Sequence, residues 1–168
     1  MRKLILSILS LSLFITAYGQ DHKWAFGFYA DVQLEAPSYV GSFGVQGKYN
    51  LAKRSALQAQ VNGRNGYVSV GADYLFSLMD KRKSNFDVFL GAGISQDFYR
   101  YNEIWTGNEP SLPTVKESFT LLNGQLGVSY YIPSVNLSVY TGYKAKFHFE
   151  SEQFEPNYLM LGVRYHLW

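Results

Sequence analysis

His148, Ser151, Glu152 and Glu155 lie close together in the chain, and a histidine, a hydroxyl and a carboxylate are the parts of a base-activated nucleophile. Such chemistry needs imidazole and hydroxyl on the same side of the backbone. His148-Phe149-Glu150-Ser151 separates them by three residues, which in an extended strand puts them on opposite faces. No catalytic group is therefore assigned. His22 and His166 have no Cys or His neighbour at metal-ligand spacing, so neither a metal nor a cofactor is expected. The remaining candidates are charged: Asp31, Asp73, Asp87 and Asp97, with Lys48, Arg64, Lys144, Lys146 and Arg164. An unpaired buried charge is far more costly than a paired one, so opposite signs sharing a narrow interior should pair into a structural plug. A conduction path or a small-ligand site is the sharper alternative.

What could hold these residues in one interior is a set of alternating runs separated by turn residues. Eight strands are expected, at about Lys23 to Glu35, Tyr39 to Leu51, Ala56 to Asn62, Tyr67 to Leu78, Phe86 to Tyr99, Thr120 to Ile132, Val135 to Phe149 and Asn157 to Trp168. In each, one face is apolar. Trp24, Phe26 and Phe28 stand opposite Gly27 and Asp31, Val68, Val70 and Tyr74 opposite Ser69, Gly71 and Asp73, and Val139, Tyr143 and Phe147 opposite Ser138, Lys144 and Lys146. Asn65-Gly66 and Pro133-Ser134 are turn pairs. The longest expected connection runs from Arg100 to Phe119.

Arg2 and Lys3 precede an uncharged run from Leu4 to Thr16, followed by Ala17-Tyr18-Gly19 with small residues flanking a cut before Gln20. Residues 1–19 thus have the form of a signal peptide, and residues 20–168 are expected to make one domain. Without Arg2 and Lys3, 13 of the 15 basic residues remain against 13 acidic ones, so the formal mature charge is zero and nucleic acid is not an expected partner. Cysteine is absent, which excludes disulfides and a cysteine-linked lipid anchor. Charged residues are 17% of the chain and aromatics also 17%, fewer charges than the roughly 25% of a typical water-soluble domain.

Three features turn the apolar faces outward. The polar faces are built from Gly, Ser, Asn and Gln rather than the Lys and Glu of a wetted sheet. Gly27, Gly44, Gly71, Gly91, Gly93, Gly127, Gly142 and Gly162 sit on that polar side, where a narrow lumen has little room. Aromatics cluster at strand ends as candidate interfacial girdles, with Trp24, Tyr49, Tyr74 and Tyr165 toward one rim and Tyr39, Phe147 and Phe149 toward the other. The expected fold is all-β, an eight-stranded antiparallel up-and-down transmembrane β-barrel. Its eighth strand must pair with the first, because backbone groups in hydrocarbon need partners and an open sheet leaves two edges bare.

The last strand, Asn157-Tyr-Leu-Met-Leu-Gly-Val-Arg-Tyr-His-Leu-Trp168, resembles the C-terminal sorting signal of Gram-negative outer-membrane barrels. Leu167 takes the place of the terminal Phe, Tyr165 is the aromatic two residues before it, and Trp168 stands one residue beyond. With its strand count and patterning, the chain resembles the small outer-membrane barrels of the OmpX, OmpW and OmpA-barrel type. That resemblance implies residence in the outer membrane, contact with its lipid and lipopolysaccharide, and recognition by the barrel-assembly machinery through the C-terminal strand. It also implies a non-enzymatic role in envelope integrity, adhesion or partner binding, with the surface partner unassigned.

The alternative is a lipid A-modifying enzyme. The lipid A deacylase family places a His and a Ser two residues apart at the outer end of the penultimate strand, where His148 and Ser151 are three apart. The palmitoyltransferase barrels add an N-terminal amphipathic helix, for which Gln20 to Lys23 is too short. The outer connections carry Glu103, Trp105, Glu109, Glu150, Glu152, Phe154 and Glu155, which could grip a partner or hold cations that bridge lipopolysaccharide. Lys53, Arg54, Lys81, Arg82 and Lys83 fall in the expected periplasmic turns, within reach of phospholipid headgroups.

Overall fold

The computed structural model describes residues 22–34, 39–80, 83–102, 114–149 and 154–167. Alternating apolar and polar residues with Val, Tyr and Phe on the apolar side favour extended backbone, and eight strands form: β1 (Trp24–Gln33), β2 (Val40–Ala52), β3 (Ser55–Arg64), β4 (Tyr67–Ser77), β5 (Phe86–Asn102), β6 (Thr114–Ile132), β7 (Leu137–His148) and β8 (Phe154–Leu167). They follow one another in a closed antiparallel barrel. Closure is made by β1 and β8, paired from Trp24↔Leu167 to Gln33↔Tyr158, so the ladder has no open edge. Both described termini lie at one end of the barrel, here the termini end. The β1–β2, β3–β4, β5–β6 and β7–β8 connections lie at the far end.

The inside–outside assignment follows the alternation. Phe28, Phe43 and Ile94 are 69%, 74% and 59% exposed, whereas Asp73, Lys144 and Arg164 are each 1% exposed. A water-soluble sheet would bury the first set. Trp24 and Tyr49 pack at 4.6 Å between ring centroids near the termini end, and Tyr39, Phe98, Phe149 and Phe154 are exposed toward the far end. These aromatics make two girdles. Phe98 and Phe154 extend the far one beyond the residues expected for it.

Several boundaries differ from the sequence expectation. β5 runs on to Asn102 and β6 begins at Thr114, so the two longest strands project past their neighbours and shorten the expected Arg100–Phe119 connection. Pro133–Val135 form a turn of 3-10 helix, and Asn136 takes a left-handed conformation at φ 52°, so β7 starts at Leu137 rather than Val135. Asparagine tolerates that region better than most residues. β8 starts at Phe154, three residues early. Its register against β7 slips between Lys144 and Lys146, a bulge that falls around Pro156, where the chain has no N–H to give the ladder. At the β3–β4 turn, Gly66 has φ 72°, and a Cβ there would lie 2.6 Å from the Arg100 carbonyl oxygen.

The lumen is not uniformly polar. Tyr29, Ala56, Leu75, Phe89, Tyr140 and Met160 form a buried apolar cluster inside the barrel. Room for it comes from glycines on neighbouring strands: Tyr29 faces Gly44, Leu75 faces Gly91, Phe89 faces Gly127, and Tyr140 faces Gly162. A Cβ on Gly162 would run into the Tyr140 ring, and one on Gly127 would meet Phe89 Cζ at 2.5 Å. Large and small inward residues interdigitate, which fills an eight-stranded interior.

Candidate functional site

The inward faces of β1, β4, β5, β7 and β8 bring two lysines against aspartates. Nearer the far end, Lys146 Nζ lies 3.1 Å from Asp97 Oδ2 and donates to Tyr67 Oη at 3.1 Å, while Tyr67 Oη donates to the same Asp97 oxygen at 2.8 Å. The Tyr158 ring covers the same ammonium at 4.8 Å. One step deeper, Lys144 Nζ donates to Tyr29 Oη at 2.7 Å and lies 3.9 Å from Asp31 Oδ2, and Tyr29 in turn donates to Asp31. Each cluster links an ammonium, a phenol and a carboxylate, the first drawn from β7, β4 and β5 and the second from β7 and β1. In these two clusters buried charges of opposite sign are paired.

Toward the termini end the solution is different. Arg164 donates through Nε to Gln46 Oε1 at 3.1 Å and through Nη2 to Gln58 Oε1 at 2.5 Å, and its guanidinium lies 3.9 Å from the centre of the Tyr140 ring. Tyr140 Oη also donates to Gln46 Oε1, at 2.9 Å. Among the described residues no carboxylate lies within ion-pair distance of Arg164. Asp87 accepts from Ser77 Oγ at 2.7 Å, and Asp73 accepts from Asn123 at 3.4 Å. The expected pairing thus holds for Lys144 and Lys146 but not for Arg164, Asp73 or Asp87.

Lys48 is buried on the inward face, opposite Gln58 in the ladder. Arg64, expected inside, is exposed. It ends β3 beside the turn, so its side chain reaches past the ladder, where the guanidinium lies 5.2 Å from the centre of the Tyr67 ring. The cup left at this mouth, lined by Asp31, Gln33, Ser42, Arg64, Tyr67 and Lys146, encloses about 20 Å³. That is room for about one water molecule.

His148 ends β7 facing the lumen and packs edge-on against Phe119 at 5.9 Å. Glu150, Ser151 and Glu152 lie outside the described residues, as do Glu103, Trp105, Glu109, Lys81, Arg82, Trp168 and residues 1–19. At the termini end, His22 Nε2 lies 3.1 Å from Tyr131 Oη, and His166 Nε2 lies 2.8 Å from Ser138 Oγ. Among the described residues no three His, Asp or Glu side chains converge as a metal site would require. The tyrosines of the plug, Tyr29, Tyr67 and Tyr140, were absent from the charged candidate set. Their signal in the sequence is an aromatic at an inward position of the alternation.

No protein-family model matches the chain, and no curated protein sequence matches it either. Solved structures do. The N-terminal β-barrel domain of OprF from Pseudomonas aeruginosa superposes with a TM-score of 0.67 at 14% identity, over 89% of this chain and 99% of that one. Neisserial surface protein A, NspA, gives 0.55 at 17% identity, over 86% of this chain and 96% of that one. Ail, the attachment invasion locus protein of Yersinia pestis, solved with the heparin analogue sucrose octasulfate, gives 0.53 at 13% identity, over 86% and 97%. At these identities the likeness is one of fold. With an apolar exterior, a polar, partly ion-paired interior and a ladder without an edge, the chain has the fold of the small eight-stranded outer-membrane β-barrels.

Proposed function

We propose that this protein is a non-enzymatic outer-membrane scaffold that holds the connections of its far end at the cell surface, with the termini end in the periplasm. The observation that carries this reading is the plug. Lys146–Tyr67–Asp97 and Lys144–Tyr29–Asp31 cross the lumen above a cluster of Leu75, Phe89, Tyr140 and Met160, and the cup that the described residues leave at the far mouth encloses about 20 Å³. A sealed barrel works through its surface. The β5–β6 arm supports this, because its two strands, to Asn102 and from Thr114, project past their neighbours. So does the case of Ail, a barrel of like size solved with a heparin analogue bound. Lipopolysaccharide and the barrel-assembly machinery are the expected envelope partners, the second through β8.

Two measurements test the reading. In planar bilayers the purified barrel should show no large, stable unit conductance, and cells with and without the protein should give the same lipid A mass profile. Stable channels would make it a conduit. A change in lipid A acylation would make it an enzyme, the reading that His148 and Ser151 raised.

A further inference from the structure

The outward face of the β5–β6 pair changes character along its length. From the termini end the opposed residues are Phe86↔Tyr130, Val88↔Val128, Leu90↔Leu126, Ala92↔Gly124 and Ile94↔Leu122, then Gln96↔Thr120, Phe98↔Ser118 and Arg100↔Lys116. At a rise of about 3.3 Å per residue and a tilt of about 40°, the apolar pairs and the Gln96 step cover about 25 Å, the height of the lipid-facing band of such barrels. Arg100 and Lys116 stand about 10 Å higher on the same arithmetic, beyond the acyl chains and at headgroup level. Gln96 and Thr120 mark the boundary with a 2.8 Å hydrogen bond.

Arg100 and Lys116 are directly opposed in the ladder, both are exposed, and among the described residues neither has an ion-pair partner. Like charges so placed destabilise a strand pair unless something neutralises them. Glu117 stands at an alternate position, on the opposite face of the strand. The two cations share a surface hollow of about 490 Å³ with Arg64, Tyr67, Val68 and Phe98, and Glu117 also borders it, so three cations stand there against one carboxylate. Phe98 is 47% exposed directly below. Cations over exposed apolar side chains, at the edge of a bilayer, match an amphiphile whose anionic group sits above its acyl chains.

We propose that Arg100 and Lys116 form a clamp for the phosphate groups of an outer-leaflet phosphorylated glycolipid, the lipid A of the surrounding membrane, with its acyl chains against Val68 and Phe98. The clamp rests on the orientation proposed above and adds a named site to it. A phosphate between the opposed cations removes their repulsion, and the second cation and Arg64 are within the same hollow to meet a second phosphate.

The test uses the full barrel in detergent, titrated with bis-phosphorylated lipid A, with enzymatically dephosphorylated lipid A and with phosphatidylglycerol, and read by native mass spectrometry of barrel–lipid adducts. Bis-phosphorylated lipid A should be retained over the dephosphorylated form. Arg100→Gln/Lys116→Gln should reduce that retention about ten- to thirty-fold, the worth of two interfacial cations. The pair Lys53→Gln/Arg54→Gln, exposed at the termini end, should leave it unchanged. Equal retention of both lipid A forms, equal retention of phosphatidylglycerol, or equal loss in the two variants would overturn the clamp. Heat-dependent gel migration of each variant checks that the barrel is folded. Orientation is read separately: the chain has no cysteine, so Asn65→Cys beside Gly66 can be labelled in intact cells with an impermeant maleimide. Labelling without phosphate discrimination sinks the clamp alone, whereas no labelling sinks the orientation.

Discussion

In the far half of the lumen each lysine ammonium is matched to an aspartate through a tyrosine, whereas in the termini half the Arg164 guanidinium rests on two glutamine carbonyls and an aromatic face. The difference follows from the cations. An ammonium is a compact point charge, strongly hydrated, and loses most when buried unless a full opposite charge is near. A guanidinium spreads its charge over a plane, offers five donors in a fixed fork and stacks on rings, so neutral acceptors can satisfy it. Gln46 and Gln58 are held in turn, Gln46 by donating to the Phe28 carbonyl at 2.8 Å and Gln58 by donating to Gln60 at 2.7 Å. The first half is therefore stabilised by charge balance and the second by a hydrogen-bond frame.

The largest effect should come from breaking the balance. Lys146→Met leaves Asp97 buried with only the Tyr67 hydroxyl, and we expect a loss of about 3–5 kcal/mol in unfolding free energy, the range for removing one partner of a buried pair. Urea titration of the barrel in lipid vesicles, followed by tryptophan fluorescence, measures it. The loss should shrink as the pH is lowered, because protonating the orphaned carboxyl removes the charge that cannot be hydrated. Lys146→Met/Asp97→Leu should recover most of the stability at neutral pH. If the double variant is as unstable as the single one, charge balance is not what holds the far half together.

The architecture was legible because the membrane exaggerates the signal: outward positions such as Val70, Leu90 and Val139 must be apolar, so the period-two pattern marks every strand. The pattern fades where that demand ends. β6 from Thr114 to Phe119 projects above the apolar band, carries Lys116 and Glu117 on its two faces, and so read as connection rather than strand. The apolar cluster inside the barrel was missed for the opposite reason. Leu75, Phe89 and Met160 break the polar face of their own strands, and only the register shows the glycine that makes room for each of them. Choice of charge partner was illegible as well. Arg164 reaches Gln46 and Gln58 across the lumen from positions more than 100 residues away, a consequence of closure rather than of local sequence.

A smaller effect tests the frame of the termini half. Gly162→Ala drives a methyl group into the Tyr140 ring, which carries the Arg164 guanidinium on its face and bonds Gln46. Overpacking of this kind costs about 1–3 kcal/mol. The same substitution at Gly124, which faces outward with open space around its missing Cβ, should change stability by no more than about 0.5 kcal/mol. Equal effects at the two glycines would mean that strand propensity, not the lumen, sets the cost. The Lys146 cluster is built from other side chains, so in Gly162→Ala the response to Lys146→Met should stay within about 0.5 kcal/mol of its value in the natural sequence, as expected for sites without shared partners.

The smallest effect is expected from making the two halves alike. Gln58→Glu places a carboxylate where Arg164 Nη2 now donates to a carbonyl, converting the neutral frame into an ion pair of the far-half kind. The attraction gained at this distance is large, but the carboxylate must be stripped of water, and the two contributions nearly cancel in buried pairs. Gln58→Glu also loses the amide that donates to Gln60 Oε1, a cost of about 1 kcal/mol. The net change at neutral pH should therefore lie within about 1 kcal/mol of zero. What should change is the pH response. Protonating that carboxylate removes one partner of the new ion pair, so whatever stability the pair contributes at neutral pH is lost in acid. Urea titrations at neutral and acidic pH, compared with the natural sequence, read that difference directly. A gain of several kcal/mol at neutral pH would show that Arg164 lacks a counter-charge it could use, and the hydrogen-bond frame would then be a compromise rather than an equivalent of the far-half pairs.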